Sequence, residues 1–311
     1  GVDFKVDNGK YGFVIDYFNN DISGLVLDAS PLYTVGVPRG SIYTNIGSMY
    51  NRGLEFTFNM ETVKTENFTW NTSLNFTAIK NRVNELITAN ADIPSGNSVA
   101  SVGRRLGEFK LLQWAGVDEQ TGNPMWYSKD GVRKTYNPSV ATAQRWTLDD
   151  GTVTTGITAN DAVYTGKSGI PKFYGGLDNN FRYKNFDMGM SLVYTGGYYI
   201  YNSTRANLLT NNFLNNTTEI LDRWTTPGQK TDVPRLFLTD NTANQASDRF
   251  LEKGDFLRAR TISLGYTFGG NKLNNAGIRS LRLYGQVYNA FVITSYSGQD
   301  PEVNSNRNNS N

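Results

Sequence analysis

From Lys172 to Tyr201, apolar and polar residues alternate along two runs separated only by Lys184-Asn185. On the first run Phe173, Leu177, Phe181 and Tyr183 share a parity with Gly175 and Asn179, while Tyr174, Gly176, Asp178, Asn180 and Arg182 hold the other. On the second run Phe186, Met188, Met190, Leu192, Tyr194 and Tyr198 oppose Asp187, Gly189, Ser191, Val193 and Thr195. A period of two puts alternate side chains on opposite faces of a strand. A two-residue connection then fixes the register of the hairpin. Tyr183 is expected opposite Phe186, Phe181 opposite Met188, and Leu177 opposite Leu192. One face is apolar for about ten residues, the length a tilted strand needs to cross a bilayer as part of a barrel wall.

The pattern recurs along the chain. Val2, Phe4 and Val6 alternate with Asp3 and Lys5, and Asn8-Gly9 is a hairpin signal. It predicts Val6 against Tyr11, Phe4 against Phe13 and Val2 against Ile15. Further apolar parities are Leu54, Phe56, Phe58 and Met60; Phe68, Trp70, Leu74 and Phe76; Ile262, Leu264, Tyr266 and Phe268; and Leu281, Leu283, Val287, Phe291 and Ile293. Glu108 to Val117 reads as a weaker strand, with Met125-Trp126-Tyr127 leading back from a turn at 118–124. These runs make ten wall strands at most; 19–50 reads as a loop with a strand extension at Leu25 to Leu27. Arg258 and Arg260 fall on the apolar parity of their strand, which places them at the outer rim or beyond it.

The connections sort by length. Short ones fall at 8–9, 64–66, 184–185 and about 269–278; long ones at 19–50, 84–107, 130–169 and 202–248. Outer-membrane barrels have short periplasmic turns and long outer loops. In the last long connection Leu208, Leu209, Phe213, Ile220, Leu221 and Trp224 stand at roughly helical spacing, with Pro227-Gly228 as a stop. Asn304 to Asn311 is an Asn-rich tail without pattern. Aromatics near the short turns (Tyr11, Phe68, Trp70, Tyr183, Phe186, Tyr266, Phe268) are where an interfacial girdle would lie.

Composition agrees with a wall in which only alternate residues are apolar. Hydrophobic residues make up 38% and aromatics 13%, and no stretch approaches the ~18 apolar residues of a membrane helix. A soluble β-sandwich or propeller alternates too, but long arms with aromatics clustered at their ends favour the barrel. The chain has no cysteine and no histidine, which excludes disulfide scaffolds, thiolate metal sites and histidine-based catalysis. A net charge of +2 with scattered Lys and Arg offers no stripe for nucleic acid.

Candidate chemistry is sparse. Asp149-Asp150-Gly151 and Asp161 do not match the spacing of an EF-hand and read as a solvated loop. No catalytic carboxylate pair is identifiable, no metal site or cofactor is expected, and no enzymatic role is read. Loop aromatics Trp114, Trp126, Tyr127, Trp146, Tyr164 and Trp224 can stack on sugar rings or side chains, or can pack the loops together.

Several stretches resemble the SusC/RagA family of TonB-linked outer-membrane transporters. They are Asn45-Ile46-Gly47 with Asn51-Arg52-Gly53-Leu54-Glu55-Phe56; Phe68-Thr69-Trp70-Asn71-Thr72 with Leu74-Asn75-Phe76; and Ala115-Gly116-Val117-Asp118 with Thr121-Gly122-Asn123-Pro124. Gly169-Ile170-Pro171-Lys172-Phe173-Tyr174-Gly175-Gly176, Asp255-Phe256-Leu257-Arg258 with Leu264-Gly265-Tyr266, and Tyr288-Asn289 with Tyr296 to Val303 continue the series. The resemblance implies an all-β fold: an antiparallel transmembrane β-barrel, of which residues 1–311 form the C-terminal portion. The family's barrel is a plugged one of 22 strands. Plug and final strand are not in this sequence. The resemblance further implies import of oligosaccharides or peptides across the bacterial outer membrane, a SusD-like surface lipoprotein as lid, and TonB acting through the plug. A siderophore-type TonB receptor, a passive porin and a secreted β-rich adhesin are the alternatives. Edge strands left open in lipid would expose unpaired backbone groups, so the segment is expected to start in the middle of a larger barrel.

Overall fold

The computed structural model describes residues 1–24, 47–86, 91–269 and 277–303, together with the backbone of 26–29 and 42–45. Eight strands form one antiparallel sheet: β1 (Val2–Val6), β2 (Tyr11–Ser23), β3 (Gly47–Lys64), β4 (Phe68–Leu86), β5 (Phe173–Tyr183), β6 (Phe186–Gly196), β7 (Phe256–Phe268) and β8 (Leu281–Thr294). Each pairs with the next in chain order, β1 and β8 forming the edges. The up-and-down order puts all the tight turns at one end and all the long excursions at the other.

The register follows the alternation. Tyr183 faces Phe186, Phe181 faces Met188 and Leu177 faces Leu192; Val6, Phe4 and Val2 face Tyr11, Phe13 and Ile15. The first turn takes positive φ at Asp7, Asn8 and Gly9 (55°, 52° and 87°), the geometry the Asn-Gly pair permits. The apolar parity is continuous from strand to strand: Phe58, Leu74, Leu177 and Leu192 lie along one row. From Tyr183 to Phe173 it spans eleven residues, or ten steps of rise. At ~3.4 Å per residue and a tilt near 40° that is about 26 Å, matching the apolar band of a barrel. Many of its large side chains are open: Leu54, Leu264 and Leu283 are 53%, 57% and 57% exposed.

Two polar residues that the sequence parity assigns to this face are accommodated differently. Asn179 is buried, and its Oδ1 accepts from Trp70 Nε1 and Thr72 Oγ1, both at 2.9 Å. Arg258 is not on this face at all, which corrects the sequence reading. A bulge between Ala259 and Thr261 switches the parity of β7, so that Arg258 pairs opposite Val193 of the polar row. Gly175 leaves room for the Tyr194 ring, whose hydroxyl donates to the Asn75 carbonyl at 2.9 Å.

The sequence expectations are corrected in three further places. β2, β3 and β4 run well past the apolar band, so the expected loop 19–50 shrinks to the stretch between Ser23 and Gly47. Pairs such as Asn20 with Asn51 and Asn51 with Asn81 carry the ladder on. Beyond the band the strands keep their hydrogen bonds but no longer present an apolar row to the membrane side; Asn81, Val83 and Leu86 are buried under the first excursion instead. The expected wall strands in 108–127 belong to two small sheets inside a single excursion between β4 and β5, so the wall has eight strands rather than ten. Between β6 and β7 the only α-helix is Ser203–Leu208, followed by a short 3₁₀ turn at Thr218–Asp222. Phe213 and Leu221, expected on its apolar face, are 86% and 72% exposed. The strand expected at Leu25 to Leu27 is found as the hairpin Val26–Ala29 with Ile42–Asn45. The tail 304–311 and most of the turn at 269–277 lie outside the described residues.

The facing assignment can be tested in the intact protein. An arginine at the membrane-facing midplane costs about 2–4 kcal/mol, so Met190→Arg is expected to reduce assembled, heat-modifiable barrel far more than its neighbour Ser191→Arg. Equal losses would show that the phase is misassigned.

Candidate functional site

The excursions at 91–171 and 197–255 fold against each other and against the raised strands. The first carries two four-stranded sheets. One is built from Gln113–Val117, Pro124–Tyr127, Arg133–Tyr136 and Trp146–Thr147; the other from Val163–Ser168, Glu108–Leu111, Ser98–Ala100 and Ile93–Ser95. The second contributes the hairpin Tyr199–Tyr201 with Leu251–Lys253 and the short helix. Their shared core contains Phe109 and Leu111 from the first, and Tyr201, Leu209 and Phe250 from the second. The first excursion is fixed to β4 at its base. The Val83 N–H donates to the Arg104 carbonyl at 2.9 Å, and the Leu106 N–H to Asn81 Oδ1 at 2.9 Å. Asn81 and Val83 continue the polar parity of β4, so this base packs over the polar side of the wall.

Trp114, Trp126 and Trp146 share one cluster of the first excursion, and Trp114 and Trp224 make contacts across the seam between the excursions. Trp126 is fully buried with Leu112 and Ile157. Trp114 stands edge-on to it with centroids 4.9 Å apart. The Trp114 indole N–H donates to Asp232 at 2.6 Å and its backbone N–H to Asp248 Oδ1 at 2.8 Å. Trp224 lies against Gly122 and donates its indole N–H to the Glu119 carbonyl at 2.9 Å. The remaining contacts lie within the first excursion. Trp146 packs on Tyr136 at 4.9 Å. Tyr164 donates to Asp92 at 2.6 Å beneath the Arg104 guanidinium, 3.6 Å from its ring. Tyr127 pairs between Gln113 and Arg133. All but Trp126 are half-buried and keep an open edge.

The charged partners were not legible as a site in the sequence. Arg249, its side chain 1% exposed, lies 4.8 Å above the Trp114 ring and 3.5 Å from Asp232. Burial pulls its basicity down while the Asp232 carboxylate pushes it back up. Arg205 chelates Glu219, with Nη2 to Oε1 at 2.6 Å and Nε to Oε2 at 2.9 Å, and this pairing raises its basicity. Burial raises the Asp248 carboxyl, against the pull of the Trp114 N–H and Lys167. The only hint in the sequence is arginine and aspartate beside apolar residues in 248–252, a pattern any surface loop can show. Asp149 and Asp161 are taken up by Arg133 at 2.8 Å and the Thr158 N–H at 2.8 Å.

Two open cavities flank this unit. One, about 550 Å³, is lined by Asp118, Asn123, Arg133, Asn137, Gln144 and Asp149 on the first excursion. The other, about 480 Å³, lies on the polar face of the wall among Tyr174, Asp178, Ser191, Arg260 and Glu302. Both present hydrogen-bonding groups suited to holding a polar ligand.

A single methyl group tests the seam. Gly122 has φ +70°, and a Cβ there would enter the Trp224 ring. Gly122→Ala is expected to displace Trp224 and loosen 223–235 by about 1–3 kcal/mol, read as faster proteolysis there and a changed tryptophan emission. An unaltered emission and cleavage pattern would show that Trp224 is not seated at the seam.

No family model matches the chain. It is 26% identical to TonB-dependent receptor P3 of Formosa agariphila over 98% of its own length and 30% of the receptor's. It is 28% identical to TonB-dependent receptor SusC of Bacteroides thetaiotaomicron over 98% of its length and 29% of that protein. Among solved structures, the RagAB peptide importer in its closed-closed state superposes with a TM-score of 0.81 at 22% identity, covering 98% of this chain and 32% of that one. The RagAB peptide transporter gives 0.79 at 23% identity, covering 96% and 32%. The chain therefore spans about 30% of the length of the curated relatives it matches. The resemblance carried by its motifs is borne out: over nearly its whole length the chain is similar to TonB-dependent receptors of the SusC/RagA type, and it has the fold of part of their β-barrel.

Proposed function

We propose that residues 1–311 are part of the barrel domain of a TonB-dependent importer of the bacterial outer membrane, with the plug and final strand outside this sequence. The cargo is an oligosaccharide or a peptide, a SusD-like lipoprotein is the lid, and TonB acts through the plug. These residues make and break no bond; they form wall and mouth. The observation that carries the reading is the unbroken similarity of the whole chain to proteins named TonB-dependent receptors. The sorting of the connections supports it, because it gathers every large excursion at one end of the wall.

On this reading the excursions face the outside and meet lid and cargo, with Trp114, Tyr127, Trp146, Tyr164 and Trp224 offering open ring edges. Trp126, also a sequence candidate, acts by holding Trp114 in place. The lid contact lies on the second excursion. Phe213, Leu214 and Leu238 are 86%, 65% and 54% exposed there. Their segments are joined by the Thr239 N–H to the Asn211 carbonyl at 2.8 Å. Large open apolar side chains brought together on a loop mark an interaction surface.

Replacing Phe213 and Leu214 by Asp in the full-length protein should leave the barrel heat-modifiable. Co-purification of the lipoprotein should fall, and with it growth on whichever oligosaccharide or peptide mixture supports the wild type and requires TonB. Unchanged capture and growth would remove the excursion from the lid contact. Growth that persists without TonB would favour a passive pore. Residues 1–311 expressed alone should form no closed, heat-resistant barrel; a monodisperse detergent-stable barrel from them would overturn the domain assignment.

A further inference from the structure

Beyond Thr294 the chain does not continue upward. It turns across the polar face of the wall and reaches back to β7 and to the base of the second excursion. Arg258, 8% exposed, holds Asp300 Oδ1 at 2.6 Å and Glu302 Oε2 at 2.7 Å, and Arg260 adds Glu302 Oε1 at 3.1 Å. Between the two carboxylates Pro301 is fully buried, and its carbonyl accepts the Tyr198 hydroxyl at 3.0 Å. Further back, Ser297 donates from its backbone N–H and from Oγ to Glu252, at 2.8 and 2.9 Å. Asn202 donates to Ser297 Oγ at 3.1 Å. Tyr296 packs against the cluster of Tyr198, Ile200 and Phe256. Glu252 in turn stands 3.7 Å from Arg205, the residue that chelates Glu219 in the excursion.

We propose that Ser297–Val303 is a strap that staples the base of the second excursion to the wall, with Arg258 as its positioning residue. The segment has no helix or strand of its own, and apart from a turn at Asp300 these contacts fasten it. Its two ends bind different bodies. The carboxylates of Asp300 and Glu302 grip β7, and Ser297 grips Glu252 in the hairpin at the base of the excursion and Asn202 next to it. The grip is asymmetric. A buried guanidinium without its anions is costly, whereas carboxylates that are one-third exposed can return to water. Arg258 therefore keeps the strap down, while the strap's acidic groups have an alternative. The bulge at Arg260 aims Arg258 at the polar face, which gives that irregularity a purpose. The strap also forms one side of the 480 Å³ cavity, through Glu302.

The test uses the full-length protein and amide hydrogen exchange read by mass spectrometry. In Arg258→Met, exchange of 197–202, 251–255 and 297–303 is expected to rise about tenfold or more, while the wall keeps its protection and heat-modifiable mobility. Arg258→Lys, which keeps the charge, is expected to recover part of that protection. Arg282→Met serves as control. It removes the ion pair with Asp187, also on the polar face but near the tight turns and away from both excursions, and should leave the three segments as they were. Unchanged protection in Arg258→Met, a lysine variant as loose as the methionine one, or an equal rise in Arg282→Met would overturn the proposal. If Arg258→Met fails to assemble, Ser297→Ala decides. Faster exchange at 197–202 supports the strap, and none overturns it. The readout does not depend on anything being imported, so its failure leaves the transport reading untouched.

Discussion

Every backbone N–H and C=O of a wall strand has to find its partner on a neighbouring strand, because hydrocarbon offers none. That requirement shapes the molecule. It makes the eight strands a plain sequential meander, each of the six inner ones bonded to the strands before and after it. It leaves the side chains free to alternate, apolar toward one side and polar toward the other. It also explains why the wall contributes so little to the conventional buried core. The apolar row is meant to be covered by something other than this chain, and residues such as Leu264 and Tyr17 stay 57% and 63% exposed. What fastens the wall is a continuous ladder. Where one residue breaks the apolar pattern, as Asn179 does, two neighbours supply its hydrogen bonds.

The excursions obey the opposite rule. They bury apolar side chains against one another in the manner of a water-soluble domain, with Phe109, Trp126 and Phe250 wholly enclosed. Their strands are short, and their charges are paired rather than excluded. Both kinds of architecture use period-two strands, so alternation alone cannot separate them. This is why Glu108 to Val117 reads in the sequence as a weak wall strand. Phe109 and Leu111 alternate correctly, but the face they make turns toward the second excursion and not toward lipid.

Legibility in the sequence tracks this division. The registers of the hairpins at 6–11 and 183–186 follow from parity and turn residues alone, because a slip by one residue would reverse every side chain. The placement of long and short connections at opposite ends is equally plain. The upper ends of β2, β3 and β4 are hidden, since above the band the ladder needs no membrane-facing row, and what β4 buries there, Asn81 and Val83, is on the polar parity. The parity switch in β7 is hidden as well. A bulge at Arg260 leaves no compositional trace, and without it Arg258 counts onto the wrong face. Among the candidate aromatics, residue type marks ring-bearing loops but not their partners. Trp114 and Trp224 lie at the seam because Leu112 bridges to Ser247 across it and Glu119 accepts from Trp224. Those contacts join positions more than a hundred residues apart.

The seam carries a further consequence for how the mouth holds its shape. The second excursion has one three-residue hairpin, a single short helix and several 3₁₀ turns, which is little regular structure for its length. Ordering such a segment costs about 1–2 kcal/mol of backbone entropy per residue. Its own hairpin cannot offset that. The offset comes from outside it: the shared core with Phe109 and Leu111, the Trp114–Arg249–Asp232 stack and the Tyr136 hydroxyl on Asp240 at 2.6 Å. The first excursion, with two sheets and a footing on β4, has more regular structure of its own, although Phe109 and Leu111 also need the second to bury them. The dependence is therefore unequal. Damage to the seam should cost the second excursion its order before the first, and the wall last. On the proposed reading, the surface that meets a partner is thus the least independently stable part of the chain. Its shape is set by the first excursion.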